Sequence, residues 1–216
     1  MANDETPEQA RRRKEQEALA LLLFLLIADT KAHLIALCGA YLANQVSIHS
    51  LARNVTASLL ASHTTATYYG RRKAGAAGPP GPADAAFAAQ TMQGQSQYIT
   101  GLLNDLGRGR YPDKEDGTPN GSLVNRLGLH ADRLLGTANE AWVLSLNPDD
   151  RLRWVLGFPE TEHCQTCPER AANSPYRAGD VTFNPGDGTS ECGTACLCHW
   201  YNESTGLTAF SGVRGT

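Results

Sequence analysis

Aromatic side chains are scarce in this 216-residue sequence, at 7%, and hydrophobic residues together reach only 41%. This composition favours a helical, alanine- and leucine-rich protein with less core per residue than a compact enzyme. An excess of basic charge is also missing, because the formal net charge is −3. The chain as a whole therefore has no general electrostatic attraction for nucleic acid.

Motifs of the common catalytic sites are absent as well. The sequence has no phosphate-binding glycine loop, no His-Glu-x-x-His, no Gly-x-Ser-x-Gly and no dinucleotide fingerprint. Glu160 and Glu162 precede a Cys-x-x-Cys, which suggests a zinc deaminase as an alternative. That site needs an acid beside a liganding histidine and a proline before the Cys-x-x-Cys, whereas Pro168 follows it here. We therefore expect the protein not to be an enzyme.

Long apolar runs are also missing. The run ALALLLFLLIA at 18–28 has eleven residues, fewer than the 20 or so of a membrane span, and Asp29 follows it. The mixed-charge segment before it is unlike the start of a signal peptide. A helix that is apolar on every side must be buried by other elements or other subunits. We expect no membrane contact and burial of this run in an assembly.

Cysteine, by contrast, is concentrated near the C-terminus, with five of the six residues at Cys164, Cys167, Cys192, Cys196 and Cys198. A Cys-x-x-Cys can direct both sulfurs at one ion from a tight turn, and an extended Cys-x-Cys places both side chains on one face. We predict a tetrahedral zinc site formed by Cys164, Cys167, Cys196 and Cys198. Four thiolates leave no open position, so the Zn²⁺ is predicted to be structural.

Other ligand sets and other sulfur chemistry stay open. Cys192, His163 or His199 can substitute for one of the four ligands. Disulfides or free thiols are the alternative to metal, although five clustered cysteines cannot all pair among themselves. A redox Cys-x-x-Cys is disfavoured, because no βαβ pattern surrounds the motif.

The run RWVLGFPETEHCQTCPERA, followed by PGDGTSECGTACLCHWYNE, resembles the C-terminal end of minor head proteins of tailed bacteriophages. This is the head-morphogenesis family typified by protein F of phage Mu. The matching parts are a strand at 154–156, the two cysteine motifs and the Pro/Gly-rich turn at 185–188, about a quarter of the chain. Family members often carry Arg between the last two cysteines, where this chain has Leu197, which puts any role for a basic group there in doubt.

The resemblance implies a structural virion protein, a minor capsid or head-morphogenesis component that acts near the portal in head assembly and DNA packaging or ejection. Its implied partners are the portal protein, the major capsid protein or both, with multiple copies in each particle and assembly in the host cytoplasm. Packaged DNA is a further possible partner, through the basic run Arg11, Arg12, Arg13 and Lys14, although such a run also suits a solvated helix face.

The alternative function is a zinc-stabilised nucleic-acid-binding regulatory protein. The basic runs at 11–14 and Arg71–Lys73 keep this alternative open. The segment from residue 151 onward disfavours it, because that segment has five Arg, no Lys and seven acidic residues.

The predicted fold class is mostly α, with long N-terminal helices followed by a small α+β, zinc-stapled C-terminal module of two or three strands and one short helix. We expect helix caps at Thr6, Ser47, Asp84 and Ser122, with Pro7 and Gln9 completing a capping box at the first. The predicted divisions are a helical arm at 1–69, a Gly/Pro linker or partner-ordered loop at 70–83, a second helical segment at 84–150, a cysteine-rich zinc module at 151–203 and a flexible tail at 204–216.

Overall fold

The computed structural model describes residues 6–111, 119–157 and 163–212. Four long helices come first: α1 (Pro7–Leu42), α2 (Ile48–Lys73), α3 (Pro82–Gly107) and α4 (Gly121–Leu144). A small module follows, with β1 (Arg151–Val155), α5 (Thr166–Ala172), β2 (Tyr176–Arg177) and β3 (His199–Asn202). The predicted fold class, mostly α with a small α+β C-terminal module, is confirmed.

Two of the four predicted helix caps are confirmed. The Thr6 hydroxyl accepts from Gln9 N, and the Gln9 side chain accepts from Thr6 N at 2.8 Å, so the capping box is complete and Pro7 opens α1. Ser47 caps α2 by accepting from Ser50 N. These side chains satisfy backbone N–H groups that the first helical turn leaves without partners.

The predicted caps at Asp84 and Ser122 are wrong by a few residues. Gly81 caps α3, so Asp84 is its third residue, and the Asp84 carboxylate accepts from Gly81 N at 2.8 Å. Asn120 caps α4 by accepting from Leu123 N at 2.9 Å. Proline is favoured in the first helical turn and Asn caps as well as Ser does, which moves both starts towards the N-terminus.

The predicted linker at 70–83 is too long at its start, because α2 continues to Lys73. Gly70 lies inside the helix and faces α4, where a Cβ atom would come within 2.1 Å of the Ala138 carbonyl oxygen. The remaining connection, between the end of α2 and the start of α3, is held by contacts within this chain. Arg71 donates to the carbonyls of Ala77 and Pro79 and pairs with the Asp84 carboxylate at 2.9 Å.

The four long helices form one bundle, in which α2 packs against α1, α3 and α4, and α4 also packs against α1. A single apolar cluster draws side chains from all four: Leu34, Cys38, Leu51, Val55, Leu59, Met92, Ile99, Leu102, Leu106, Leu123 and Leu127. The spacing of three or four residues within each helix puts these side chains on one face. The segments 1–69 and 84–150 therefore share a core.

A buried polar layer crosses this bundle. His63 is fully buried on α2; its Nδ1 lies 2.8 Å from Thr137 Oγ1 and its Nε2 lies 3.1 Å from Gln95 Nε2. The Thr30 and Ser62 hydroxyls share a hydrogen bond of 2.9 Å between α1 and α2. His130 is also buried, and its Nδ1 has no hydrogen-bond partner within the described chain.

Acid is expected to destabilise the bundle through these histidines. Burial, with the positive charge of Arg133, lowers the pKa of both His63 and His130 to about 4. An unfolded histidine has a pKa near 6.5, so the unfolded chain binds more protons between about pH 6.5 and 4. The free energy of unfolding therefore keeps its full value above about pH 6.5. It falls as the pH drops from about 6.5 to 4, by up to about 3 kcal/mol per histidine.

Urea unfolding at pH 7 and pH 5 measures this loss. The His63→Gln variant is expected to lose less unfolding free energy between the two pH values than the parent does. His49→Gln, on the exposed side of the same helix, removes a histidine without touching the buried layer and serves as the control. Equal losses in the parent and in His63→Gln would contradict the assignment.

The apolar run of α1 is only partly covered by this chain. Leu19 and Leu23 are buried, whereas Leu21 and Leu25 are 61% and 57% exposed, and Leu22 and Phe24 are also exposed. The apolar part of α1 is longer than the run at 18–28, because an 18-residue window is also apolar on average. By length and composition α1 could cross a membrane, with a mean hydropathy of 1.9 over 18 residues of which 22% are buried, but core helices of soluble proteins and signal sequences share these properties. The absence of membrane contact therefore stays a prediction.

The predicted flexible tail at 204–216 is wrong for its described part, 204–212. The chain folds back along β3, where Asn202 N donates to Leu207 O and Ala209 N donates to Trp200 O, both at 2.8 Å. Leu207, Ala209 and Phe210 are buried. The prediction rests on the many Gly, Thr and Ser residues and gives no weight to these three apolar side chains. Residues 213–216 lie outside the described chain.

Candidate metal centre

A three-stranded antiparallel sheet in the order β2-β1-β3 supports the cysteine loops. The predicted pairing of the strands at the two ends of the module is confirmed, with Trp154 opposite Trp200. Their rings meet edge to face at 4.9 Å, and Tyr176 and Phe183 pack against Trp200. This aromatic cluster fixes β1 and β3 and so positions the loops that leave them.

The cysteines enter the site from two separate loops. Cys164 precedes α5 and Cys167 lies in its first turn. Cys192 and Cys196 flank a 3₁₀ turn at Gly193–Ala195, and Cys198 immediately precedes β3. Between the loops, the Pro/Gly-rich segment turns back as predicted, with Gly186 and Gly188 at φ values of 81° and 87° that suit glycine.

Cys167 lies at the centre of the sulfur cluster. Its Sγ is 3.4 Å from Cys164 Sγ, 3.7 Å from Cys192 Sγ and 3.8 Å from Cys196 Sγ. Cys167, Cys196 and Cys198 also form a group whose sulfurs all lie within 4.8 Å of one another. Two thiolates on one tetrahedral Zn²⁺ are about 3.8 Å apart, because Zn–S bonds are about 2.3 Å long. The described cysteines can therefore hold a metal ion.

The four predicted ligands lie in one sulfur cluster, but they do not form one mutually close set, so the quartet stays a prediction. Cys164 is grouped with Cys167 and Cys192, whereas Cys196 and Cys198 are grouped with Cys167. Cys192, predicted only as a substitute, is thus a full member of the cluster. The six cysteines are all free in the structure, and Cys38 is buried in the bundle core, away from this site.

The two candidate histidine ligands differ in position. His163 Nδ1 lies 3.8 Å from Cys198 Sγ, while its Nε2 lies 2.9 Å from the Gly157 carbonyl oxygen. His199 belongs to neither cysteine group; it lines a groove beside α1, and its Nδ1 has no hydrogen-bond partner among the described residues. Of the two histidines, the geometry favours His163 as a ligand.

Buried thiols without a cation cannot all ionise. A hydrogen bond from the Cys196 thiol, together with the backbone of Gly157, lowers the pKa of Cys198 to about 5 against the effect of burial. The same hydrogen bond and burial raise the pKa of Cys196, and burial raises the pKa of Cys167. A bound cation removes this conflict, since it stabilises the thiolate form of each sulfur it contacts.

Asn139 connects this module to the bundle, a role that sequence reasoning missed. Its side chain is fully buried on α4, where Nδ2 donates to the carbonyls of Pro185 and Phe210 and Oδ1 accepts from Phe210 N at 2.9 Å. A signal for it exists in the sequence, because Asn139 shares a helical face with Leu135 and Trp142. A polar residue on an apolar stripe needs buried hydrogen-bond partners.

A groove of about 770 Å³ separates α1 from the module. One side is formed by α1, including the exposed Leu21 and Phe24, and the other by residues 194–197 and 208–212. The cysteine loop at 194–197 and the segment at 208–212 therefore face the apolar run of α1 across this groove.

No family model, curated protein or solved structure matches the chain. The fold and site define its class as a four-helix bundle that carries a strand- and cysteine-rich module able to hold a metal ion. Glu160 and Glu162, the acids of the deaminase alternative, lie outside the described residues.

Proposed function

We propose that the protein is a structural virion component of a tailed bacteriophage, a minor capsid or head-morphogenesis protein that acts near the portal. The cysteine module carries the proposal: its two motifs, which resemble the C-terminal end of that family, meet around Cys167. A thiolate cluster of this kind supplies rigidity rather than chemistry, since thiolates occupy the positions that a substrate would need. The proposed protein is therefore not an enzyme.

Zn²⁺ is the proposed metal. An all-sulfur or sulfur-rich set disfavours Mg²⁺ and Ca²⁺, which take oxygen ligands, and it suits the tetrahedral geometry of zinc. The sulfur spacings of 3.4–3.8 Å around Cys167 agree with zinc–thiolate bonding. The role of the bound ion would be mechanical: Cys164, Cys167, Cys192, Cys196 and Cys198 would hold it, and the loops that carry them would keep one side of the groove beside α1 in place.

The exposed side of α1 is the proposed contact with a neighbouring subunit of the particle, either portal or major capsid protein. Leu21, Leu22, Phe24 and Leu25 form a contiguous apolar surface that this chain leaves open. Such an exposed apolar surface in the middle of a long helix favours association over a free monomer. The basic residues 11–14 lie exposed about two to three turns before it, which is where packaged DNA would contact the protein.

The regulator alternative has less support, because the second basic run is occupied within the chain. Arg71 pairs with Asp84, and Arg72 pairs with Glu15. Lys73 is buried: its Nζ donates to Gln16 O and lies 4.8 Å from the centre of the Phe210 ring. In the first run Arg13 pairs with Glu17 at 3.0 Å, but residues 11–14 are all exposed, so this run is the proposed DNA contact of the two.

The test is co-assembly with the portal and major capsid proteins of the same phage, followed by sedimentation of the heads. We expect the protein to sediment with heads at fixed stoichiometry. The double variant Leu21→Ser/Leu25→Ser is expected to be incorporated about thirtyfold less, because it loses roughly 1 kcal/mol of apolar burial at each position, about 2 kcal/mol in total. Leu129→Ser, at an exposed leucine of α4, is the control and should be incorporated normally.

Three results would count against the proposal. If the parent protein does not sediment with heads, the virion role is wrong. Salt-dependent binding of the purified protein to duplex DNA without head association would support the regulator instead. Binding to lipid vesicles that the double variant loses would assign the α1 surface to a membrane.

A further inference from the structure

We propose that the cysteine cluster binds two metal ions that share the thiolate of Cys167. This inference rests on the zinc proposal above and changes its stoichiometry from one ion to two. The first ion would take Cys164, Cys167 and Cys192, and the second would take Cys167, Cys196 and Cys198.

The grouping of the sulfurs carries the inference. Around one tetrahedral ion every pair of ligands is separated by about 3.8 Å, so four ligands form one mutually close set. Among the described residues, the mutually close sets contain three sulfurs each and overlap only at Cys167. Cys167 belongs to both sets, whereas no other sulfur of one set belongs to the other. A thiolate that bridges two metal ions has this position.

His163 lies outside both mutually close sets, but it contacts one sulfur of the second set and is the candidate further donor for that ion. Its Nδ1 lies on the Cys198 side of the cluster, 3.8 Å from that sulfur. Its Nε2 is 2.9 Å from the Gly157 carbonyl oxygen, and an Nε2–H donating to that oxygen leaves the Nδ1 lone pair for a metal. Second-shell contacts of this type fix the tautomer of liganding histidines in proteins.

The first ion is more accessible than the second. Cys164 and Cys192 are half-buried, whereas Cys167, Cys196 and Cys198 are all fully buried. The first ion should exchange with solvent faster than the second, which buried thiolates and His163 enclose.

Charge also favours two ions over one. Five thiolates carry five negative charges, and two divalent cations reduce the net charge of the cluster to −1, against −2 for a single cation on four thiolates with the fifth sulfur as a neutral thiol. Uncompensated charge is costly in a buried site, and Cys167, Cys196 and Cys198 are all buried. Two ions allow every sulfur to serve as a ligand.

Native mass spectrometry of the full-length protein loaded with Zn²⁺ measures the stoichiometry. We expect two ions per parent chain, one ion in Cys164→Ser and one in Cys198→Ser, with substantial loss of both in Cys167→Ser. Cys38→Ala is the matched control and should keep two ions, because Cys38 lies in the bundle. A single ion in the parent overturns the shared-thiolate centre and leaves the zinc module intact.

A Co²⁺-loaded sample gives an independent readout. Two Co²⁺ ions joined through one thiolate couple magnetically, so the electron paramagnetic resonance signal per cobalt should fall by at least about half relative to Cys164→Ser, which retains one ion. Equal signals per cobalt would overturn the bridge. A parent that binds no ion at all would overturn the zinc proposal too, whereas failure to join phage heads would leave both metal results standing.

Discussion

Chelation of the proposed metal is expected to unfold the C-terminal module while the four long helices persist. Metal binding of this kind contributes on the order of 10 kcal/mol to folding a small unit. The module has one short helix and a three-stranded sheet whose longest strand has five residues. Such a unit has too little regular structure to stay folded once its loops are released.

Tryptophan fluorescence reports this loss selectively. All three tryptophans, Trp142, Trp154 and Trp200, are fully buried in the apolar cluster that also contains Cys167, Cys196 and Cys198. We expect chelator to shift their emission to longer wavelength, while helical circular dichroism falls only slightly. Added Zn²⁺ should restore the emission, and Cys38→Ala should respond as the parent does. Unchanged emission after metal has been removed would show that the module is held by its aromatic cluster alone.

Gly70→Ala is expected to destabilise the bundle by about 3 kcal/mol, although alanine is the better helix former. A Cβ at position 70 would lie 2.1 Å from the Ala138 carbonyl oxygen and 2.9 Å from Ala141 Cβ, so α2 and α4 must move apart. Overpacking typically costs about 1–3 kcal/mol and occasionally more; a contact with backbone at 2.1 Å is a severe case, for which we expect a cost of about 4 kcal/mol against a gain of about 1 kcal/mol in helix propensity. The melting temperature should fall by about 6–12 °C for a chain of this size.

Gly94→Ala is the matched control for this substitution. Gly94 is also inside a long helix, but it is exposed and a Cβ there would meet nothing within 4 Å. This variant should gain about 0.5–1 kcal/mol, the ordinary preference for alanine over glycine in a helix. The two variants should therefore change stability in opposite directions. A stabilised Gly70→Ala would show that the close contact between α2 and α4 is absent in solution.

Local signals in the sequence predicted much of this architecture. The capping box at Thr6, the cap at Ser47 and the strands around Trp154 and Trp200 depend on neighbouring residues, and the structure confirms all of them. The concentration of cysteines in two motifs likewise indicated a cluster. These features could be predicted because each depends on a short segment and on simple geometry.

Features that depend on distant contacts could not be predicted in this way. The local sequence alone places Gly70 in a linker, whereas its lack of a side chain allows α2 to pack against Ala138 of α4. The local sequence also predicts a flexible tail, whereas the Asn139 side chain hydrogen-bonds to the backbone of Phe210. The ligand quartet followed from spacing along the chain, whereas the central position of Cys167 follows from how two loops meet. In each case tertiary packing decides what the local sequence leaves open.

The groove beside α1 has a consequence for the order of assembly. One of its sides belongs to α1, and the other includes Cys196 and residues 208–212, so its two sides are far apart in the sequence. The groove therefore reaches its final shape only after these distant segments have packed together. If the proposed zinc holds the cysteine loops, a chain without the ion would offer a neighbour an incomplete groove, and recruitment would depend on the supply of zinc.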